Sequence, residues 1–280
     1  MPTAPKIDPA SLVPPFESSL PTALRVSGER ELLRVHALTR ATYSTQRFLS
    51  GSPGNNAAAV NTIQVASGNQ LACEANSPEL VRYSAEHGLE LASDADTNRA
   101  RNLIEAALWD VIEPYPFLGS AVSELAWRCH IVLAQSDDYD VSFSDPAIPF
   151  SIFVSAPARN DRNSILRIAE NLIHETMHLQ LTLFEGLYPL ADTASTWSMY
   201  SPWKRQKRPA HGLLHGLYVF CVLRWMWRQI SRTTQNRIDR DFALRRISEI
   251  DEEVSAVRGL EESPALTEEG KQLLHQLLEA

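Results

Sequence analysis

The sequence has no pair of cysteines at a metal-binding or redox spacing. Cys73, Cys129 and Cys221 are scattered, odd in number and without a CxxC, which excludes a disulfide framework. They read as buried or free thiols in a reducing cytoplasm. An apolar run long enough to cross a bilayer is also missing. The best stretch, Gly212 to Trp227, is too short and carries His215 and Arg224, so it reads as a buried core helix. Met1 to Phe16 is broken by prolines and has no apolar h-region, so it does not read as a signal peptide. Basic excess is absent as well. A net charge of −8 excludes a general nucleic-acid binder, which needs a cationic surface to hold phosphates. No internal repeat, low-complexity run or linker divides the chain.

What is there is an ordinary globular composition, 280 residues with 44% hydrophobic and 21% charged side chains. Residues 1–27 form a Pro- and Ser-rich arm, and residues 28–280 a single domain. Helical spacing of apolar residues runs over Gly28 to Phe48, Asp96 to Val111, Ser164 to Phe184, Ala210 to Arg232 and Ile238 to Leu260. Residues 50–56 read as a loop, and Ala57 to Gln70 stays open between helix and strand. Pro78 in the first turn starts a short helix towards His87, and Thr267 caps a last one through Leu278. From Ser120 the chain is helical, with an end near Trp127 to Leu133 that also fits a strand. The clear strand patterns are Val141 to Asp145 and Phe150 to Ser155. Tyr188 to Arg208 reads as a loop. The expected fold is mainly α (α+β), a helical domain with a small β-sheet and a metal site between two helices.

The metal enters with His174-Glu175-Thr176-Met177-His178. Two histidines four apart on a helix project from one face, so both imidazoles reach one ion. Glu175 sits beside that spot, able to polarise a metal-bound water or orient a ligand. A third ligand is needed. No histidine stands six residues beyond His178, where Phe184 is, and no glutamate occurs between Gly186 and Ile247. A second pair, His211 and His215, opens the helix that follows. His215, a full turn inside its apolar face, is the expected third ligand, because an unpaired imidazole there is costly. His211, in the first turn, is the candidate for a substrate or cosubstrate contact; a core histidine bonded to a backbone carbonyl is the alternative for both.

Lys204, Arg205, Lys207 and Arg208 place four cations in five positions of an acidic protein. Arg205 and Lys207 read as solubilising surface. Arg208, fixed by Pro209 and close to His211, is suited to grip a carboxylate with both arms of its guanidinium.

Several of these segments together resemble a known group. They are Ser144-Asp145-Pro146 with Ile148 to Ser155, the HETMH pentad, Ser201-Pro202-Trp203-Lys204, and Arg208-Pro209-Ala210-His211-Gly212-Leu213-Leu214-His215-Gly216. Over residues 140–225 the chain resembles the HExxH-domain proteins encoded beside ribosomally made peptide natural products. The resemblance implies an iron(II)- and α-ketoglutarate-dependent oxygenase that uses dioxygen to hydroxylate the β-carbon of a residue in a precursor peptide. Lys204 stands where arginine is expected. Arg208, with Lys204 as second choice, is the cation for the distal carboxylate of α-ketoglutarate. The usual oxygenase set of two histidines and one carboxylate is not met by three histidines. Either His215 replaces the carboxylate, or Glu175 or another acid joins the metal. The other readings are a zinc peptidase with Glu175 as general base and a peptide-binding protein without catalysis. The peptide is expected along the sheet edge at Ser151 to Ser155, with Trp197, Tyr200 and Trp203 lining the groove.

Overall fold

The computed structural model describes residues 61–64, 70–73, 78–133, 140–145, 148, 150–155, 157–186 and 188–279. The expected arm, the helix over residues 28–48 and the loop over 50–56 lie outside the described residues. The protein is mainly α-helical with a small β component, and it divides into two compact units at Leu179 and Gln180.

The first unit is built on a five-stranded sheet. Its strands are β1 (Asn61–Gln64), β2 (Gln70–Cys73), β3 (Arg128–Val132), β4 (Ser142–Ser144) and β5 (Ser151–Ser155), in the order β1-β2-β3-β5-β4. β2, β3 and β5 run parallel, with antiparallel β1 and β4 at the edges. Every residue of β3 and β5 is buried, the pattern of strands covered on both faces. That position corrects one expectation. Ser151 to Ser155 is an inner strand bonded on both sides, so it has no free edge for a peptide.

Helices α1 (Pro78–His87), α2 (Asp94–Ala107) and α3 (Pro116–Leu125) belong to this unit. A π-helical turn, Leu108–Ile112, extends α2. Ser93 caps α2 by accepting from the Asp96 N–H, and Pro116 occupies the first turn of α3. The ambiguous end near Trp127 resolves as a helix that stops at Leu125 and a strand that starts at Arg128. On one face of the sheet Phe153 stacks between Phe143 and Tyr83, with Leu80, Val132 and Ile148 closing the cluster.

Helix α4 (Arg162–Glu185) carries the pentad. Asp161 starts it by accepting from the backbone N–H of Ser164, and Gly186 bonds back to Thr182 as it ends.

The second unit is centred on α5 (Ala210–Thr233), which is apolar nearly all round and buried accordingly. Trp227 of α5 meets Phe242 of α6 (Arg237–Ala256) at 5.0 Å between ring centroids. A 3-10 turn, Arg258–Glu262, leads on to α7 (Glu268–Glu279), whose first turn is capped by Thr267. No helix among the described residues is long and apolar enough to cross a membrane.

The expected loop Tyr188 to Arg208 contains a hairpin instead, β6 (Ser198–Ser201) paired with β7 (Gln206–Pro209). Serines, cations and a proline are weak strand formers, so the pattern conceals these strands. Their pairing and their seat on α5 hold them.

Candidate metal centre

Three atoms able to ligate a metal meet where the end of α4 faces the start of α5. Pro209 precedes α5 with an extended backbone, at a position where a helix needs no N–H donor. His211 therefore falls in the first turn and His215 one turn on, above each other on one face. Nε2 of His211 lies 2.8 Å from Oε2 of Glu185, and Nε2 of His215 lies 2.7 Å from the same oxygen. Among the described residues, this is the group of three or more potential metal-binding side chains whose ligand atoms all lie within 4.8 Å of one another.

Charge follows from that geometry. Burial opposes an ionised Glu185, but the hydrogen bonds from His211 and His215 outweigh it and lower the carboxyl to about 2. The bond to Glu185 raises the pKa of His211, against burial and the nearby positive charge of Arg208. Glu185 is thus ionised throughout the neutral range. A divalent cation among these atoms would receive one carboxylate and two imidazole lone pairs, releasing protons as it binds. The donor set fits a non-haem iron centre, which takes two histidines and a carboxylate and keeps positions open.

The hairpin is fastened beside this face through two glycines. A Cβ on Gly212 would lie 3.2 Å from Nε and Nη2 of Arg208, so the guanidinium lies against the first turn of α5. A Cβ on Gly216 would lie 2.5 Å from the Trp203 ring. That indole also stacks on Phe220 at 5.1 Å and donates to Glu253 at 3.1 Å. Each glycine directly follows a histidine of the centre. One helix therefore presents a ligand face and, about 100° round, a notched face that seats the hairpin. Arg208 has no carboxylate partner among the described residues.

The pentad lies in the other unit. His174 and His178 are half-buried, with ring centroids 4.8 Å apart. Glu175 is 1% exposed and accepts a hydrogen bond from Ser142 Oγ at 2.8 Å; the same Oε1 lies 3.8 Å from His174 Nε2. Of the residues singled out in the sequence, His211, His215 and Arg208 stand together. Lys204 is exposed on the hairpin turn. Nothing in the sequence singles out Glu185. A single glutamate at the end of a helix carries no local signature; the fold supplies one by bringing His211 and His215 to it.

Compared with models of known protein families and with curated proteins, the chain matches none.

Proposed function

We propose that this protein is an iron(II)- and α-ketoglutarate-dependent dioxygenase that hydroxylates the β-carbon of a residue in a ribosomally made precursor peptide, with Glu185, His211 and His215 holding the metal. The observation that carries the reading is the convergence of two imidazole Nε2 atoms on one carboxylate oxygen, at 2.8 and 2.7 Å. Two neutral imidazoles and one carboxylate leave a divalent ion at +1 with room for further ligands. When bound, iron and α-ketoglutarate supply the oxidising chemistry: dioxygen places one oxygen atom in a C–H bond, and the keto acid leaves as succinate and carbon dioxide. The chain's own residues bind and orient. Arg208, held against Gly212 and felt electrostatically by His211, would pair with the distal carboxylate of the keto acid.

This reading moves His211 from a substrate contact to a metal ligand. It supplies the carboxylate that three histidines lack. The competing ligand set, His174 and His178 with His215, makes the opposite statement about Glu185. In the zinc-peptidase reading Glu175 is the general base, yet one of its oxygens already accepts from Ser142 and the side chain is buried.

The test combines the purified protein with Fe(II) and α-ketoglutarate without oxygen, then admits air in the presence of the precursor peptide. A visible metal-to-ligand band, then succinate and a peptide heavier by one oxygen atom, is the expected result. Zinc-dependent peptide fragments, or an unmodified peptide without succinate, contradict it.

A further inference from the structure

We infer that the β6–β7 hairpin is the docking platform for the peptide substrate, and that it selects an extended segment bearing acidic side chains. This rests on the peptide-hydroxylase reading above and adds where and by what chemistry the substrate is held.

The hairpin forms a two-stranded sheet, and among the described residues no backbone hydrogen bond joins it to a third strand. Among the described residues each strand therefore keeps one edge for an extended chain. Its two faces differ. Met199, Ser201 and Arg208 turn towards the body of the unit: Ser201 is buried, the sulfur of Met199 lies 3.1 Å from a Cβ placed on Gly259, and Arg208 rests on Gly212. The other face carries Ser198, Tyr200, Lys207 and Pro209, all exposed. Tyr200 and Lys207 are register partners there, so an aromatic ring 54% exposed stands beside a cation.

The turn adds Lys204 and Arg205, the latter held at φ 51. Among the described residues no carboxylate pairs with Lys204, Arg205 or Lys207. Cations without a carboxylate partner among the described residues, concentrated on one small sheet in a protein of net charge −8, mark a surface for a negatively charged partner. The overall charge disfavours a nucleic acid, whose phosphates extend well beyond so small a patch. Position favours the peptide. β7 runs without a break into α5, and Pro209 is followed two residues later by His211. A chain paired along this hairpin is led towards the metal ligands. The edge strand β4 of the larger sheet offers three residues and lies in the other unit.

The test uses a fluorescent dodecapeptide alternating glutamate and serine, an uncharged peptide of equal length, and a dodecathymidylate. Binding is read by anisotropy on the full chain without added metal. The acidic peptide is expected to bind more tightly than the other two probes and to lose affinity as salt rises. Arg205→Glu with Lys207→Glu should weaken it by about tenfold or more, with Tyr200→Ala giving a smaller loss. Arg205→Gln with Lys207→Gln provides a milder pair should the reversal disturb folding. Co(II) binding and peptide-independent succinate formation should stay at wild-type level in all of these variants. Equal binding of acidic and uncharged peptides, tighter binding of the oligonucleotide, or an unchanged affinity in both charge variants overturns the inference. Those outcomes leave the oxygenase reading standing if succinate still forms. Selective acidic-peptide binding without any succinate contradicts the oxygenase reading alone.

Discussion

The indole of Trp203 lies directly on Gly216, so close that a Cβ there would sit 2.5 Å from Cε3 and 2.6 Å from Cζ3. That contact joins the hairpin to the helix carrying His211 and His215. Replacing a helical glycine by alanine usually stabilises a helix, by roughly 0.5–1 kcal/mol. Here the sign reverses. Gly216→Ala should destabilise by about 1–3 kcal/mol, because a large ring bonded to Glu253 must move. Thermal melts compare it with Gly212→Ala, whose 3.2 Å neighbour is a flexible guanidinium and whose loss of stability should be smaller. Equal melting temperatures for Gly216→Ala and the wild type would remove the hairpin's anchor.

Arg208 should set the affinity for α-ketoglutarate. Arg208→Lys keeps the charge but loses the two-armed grip, and should raise KM for the keto acid by about tenfold with less effect on kcat. Arg208→Ala should raise it further. Both should bind Co(II) normally. An unchanged KM in the alanine variant assigns the distal carboxylate to another residue.

Metal affinity should rise with pH. The bond to Glu185 raises His211 above its usual pKa, so the imidazole keeps its proton into a higher pH range and competes with the metal there. Affinity is therefore lowest in acid and climbs as pH passes through the His211 pKa. Calorimetric titrations in buffers of different ionisation enthalpy should record proton release on binding. Binding without proton release, and flat between pH 6 and pH 8, contradicts the arrangement.

His130 carries a separate pH signature. It is fully buried on β3, neither ring nitrogen has a hydrogen-bond partner among the described residues, and its ring lies 4.7 Å from that of Phe153. Burial, reinforced by the charge of Arg128, lowers its pKa from 6.5 to about 3. The unfolded chain takes up a proton below 6.5 that the folded chain refuses until about 3. Stability from this group is therefore full above pH 6.5 and falls as pH drops through that window, by at most about 1.4 kcal/mol per pH unit. His130→Phe should flatten that part of the stability curve. The same slope in the variant and the wild type would clear His130 of the effect.

The helices were legible because their apolar spacing and caps are local. Thr267 before α7 announces itself in the sequence, whereas Asp161 before α4 and Pro209 before α5 sit just ahead of starts that apolar spacing alone puts at Ser164 and Ala210. The hairpin was not, since Ser198 to Ser201 and Gln206 to Pro209 owe their form to each other and to the notches at Gly212 and Gly216. The free sheet edge was misplaced for a similar reason. Ser151 to Ser155 has a strong strand pattern because it is covered on both faces, and inner strands pattern best. His211 and His215 stood out as a pair. Glu185 did not, because a single glutamate at a helix end has no signature until the fold brings two imidazoles to it.

The central claim is that Glu185, His211 and His215 hold the metal, and Co(II) titration followed in the visible region tests it most directly. Glu185→Ala and His211→Ala should each lose the Co(II) spectrum, or weaken binding by about a hundredfold, while their circular dichroism stays that of the wild type. His174→Ala and His178→Ala should titrate like the parent protein. A Glu185→Ala protein that binds Co(II) as tightly as the wild type, with binding lost in His174→Ala and His178→Ala, would place the metal at the pentad and contradict the account.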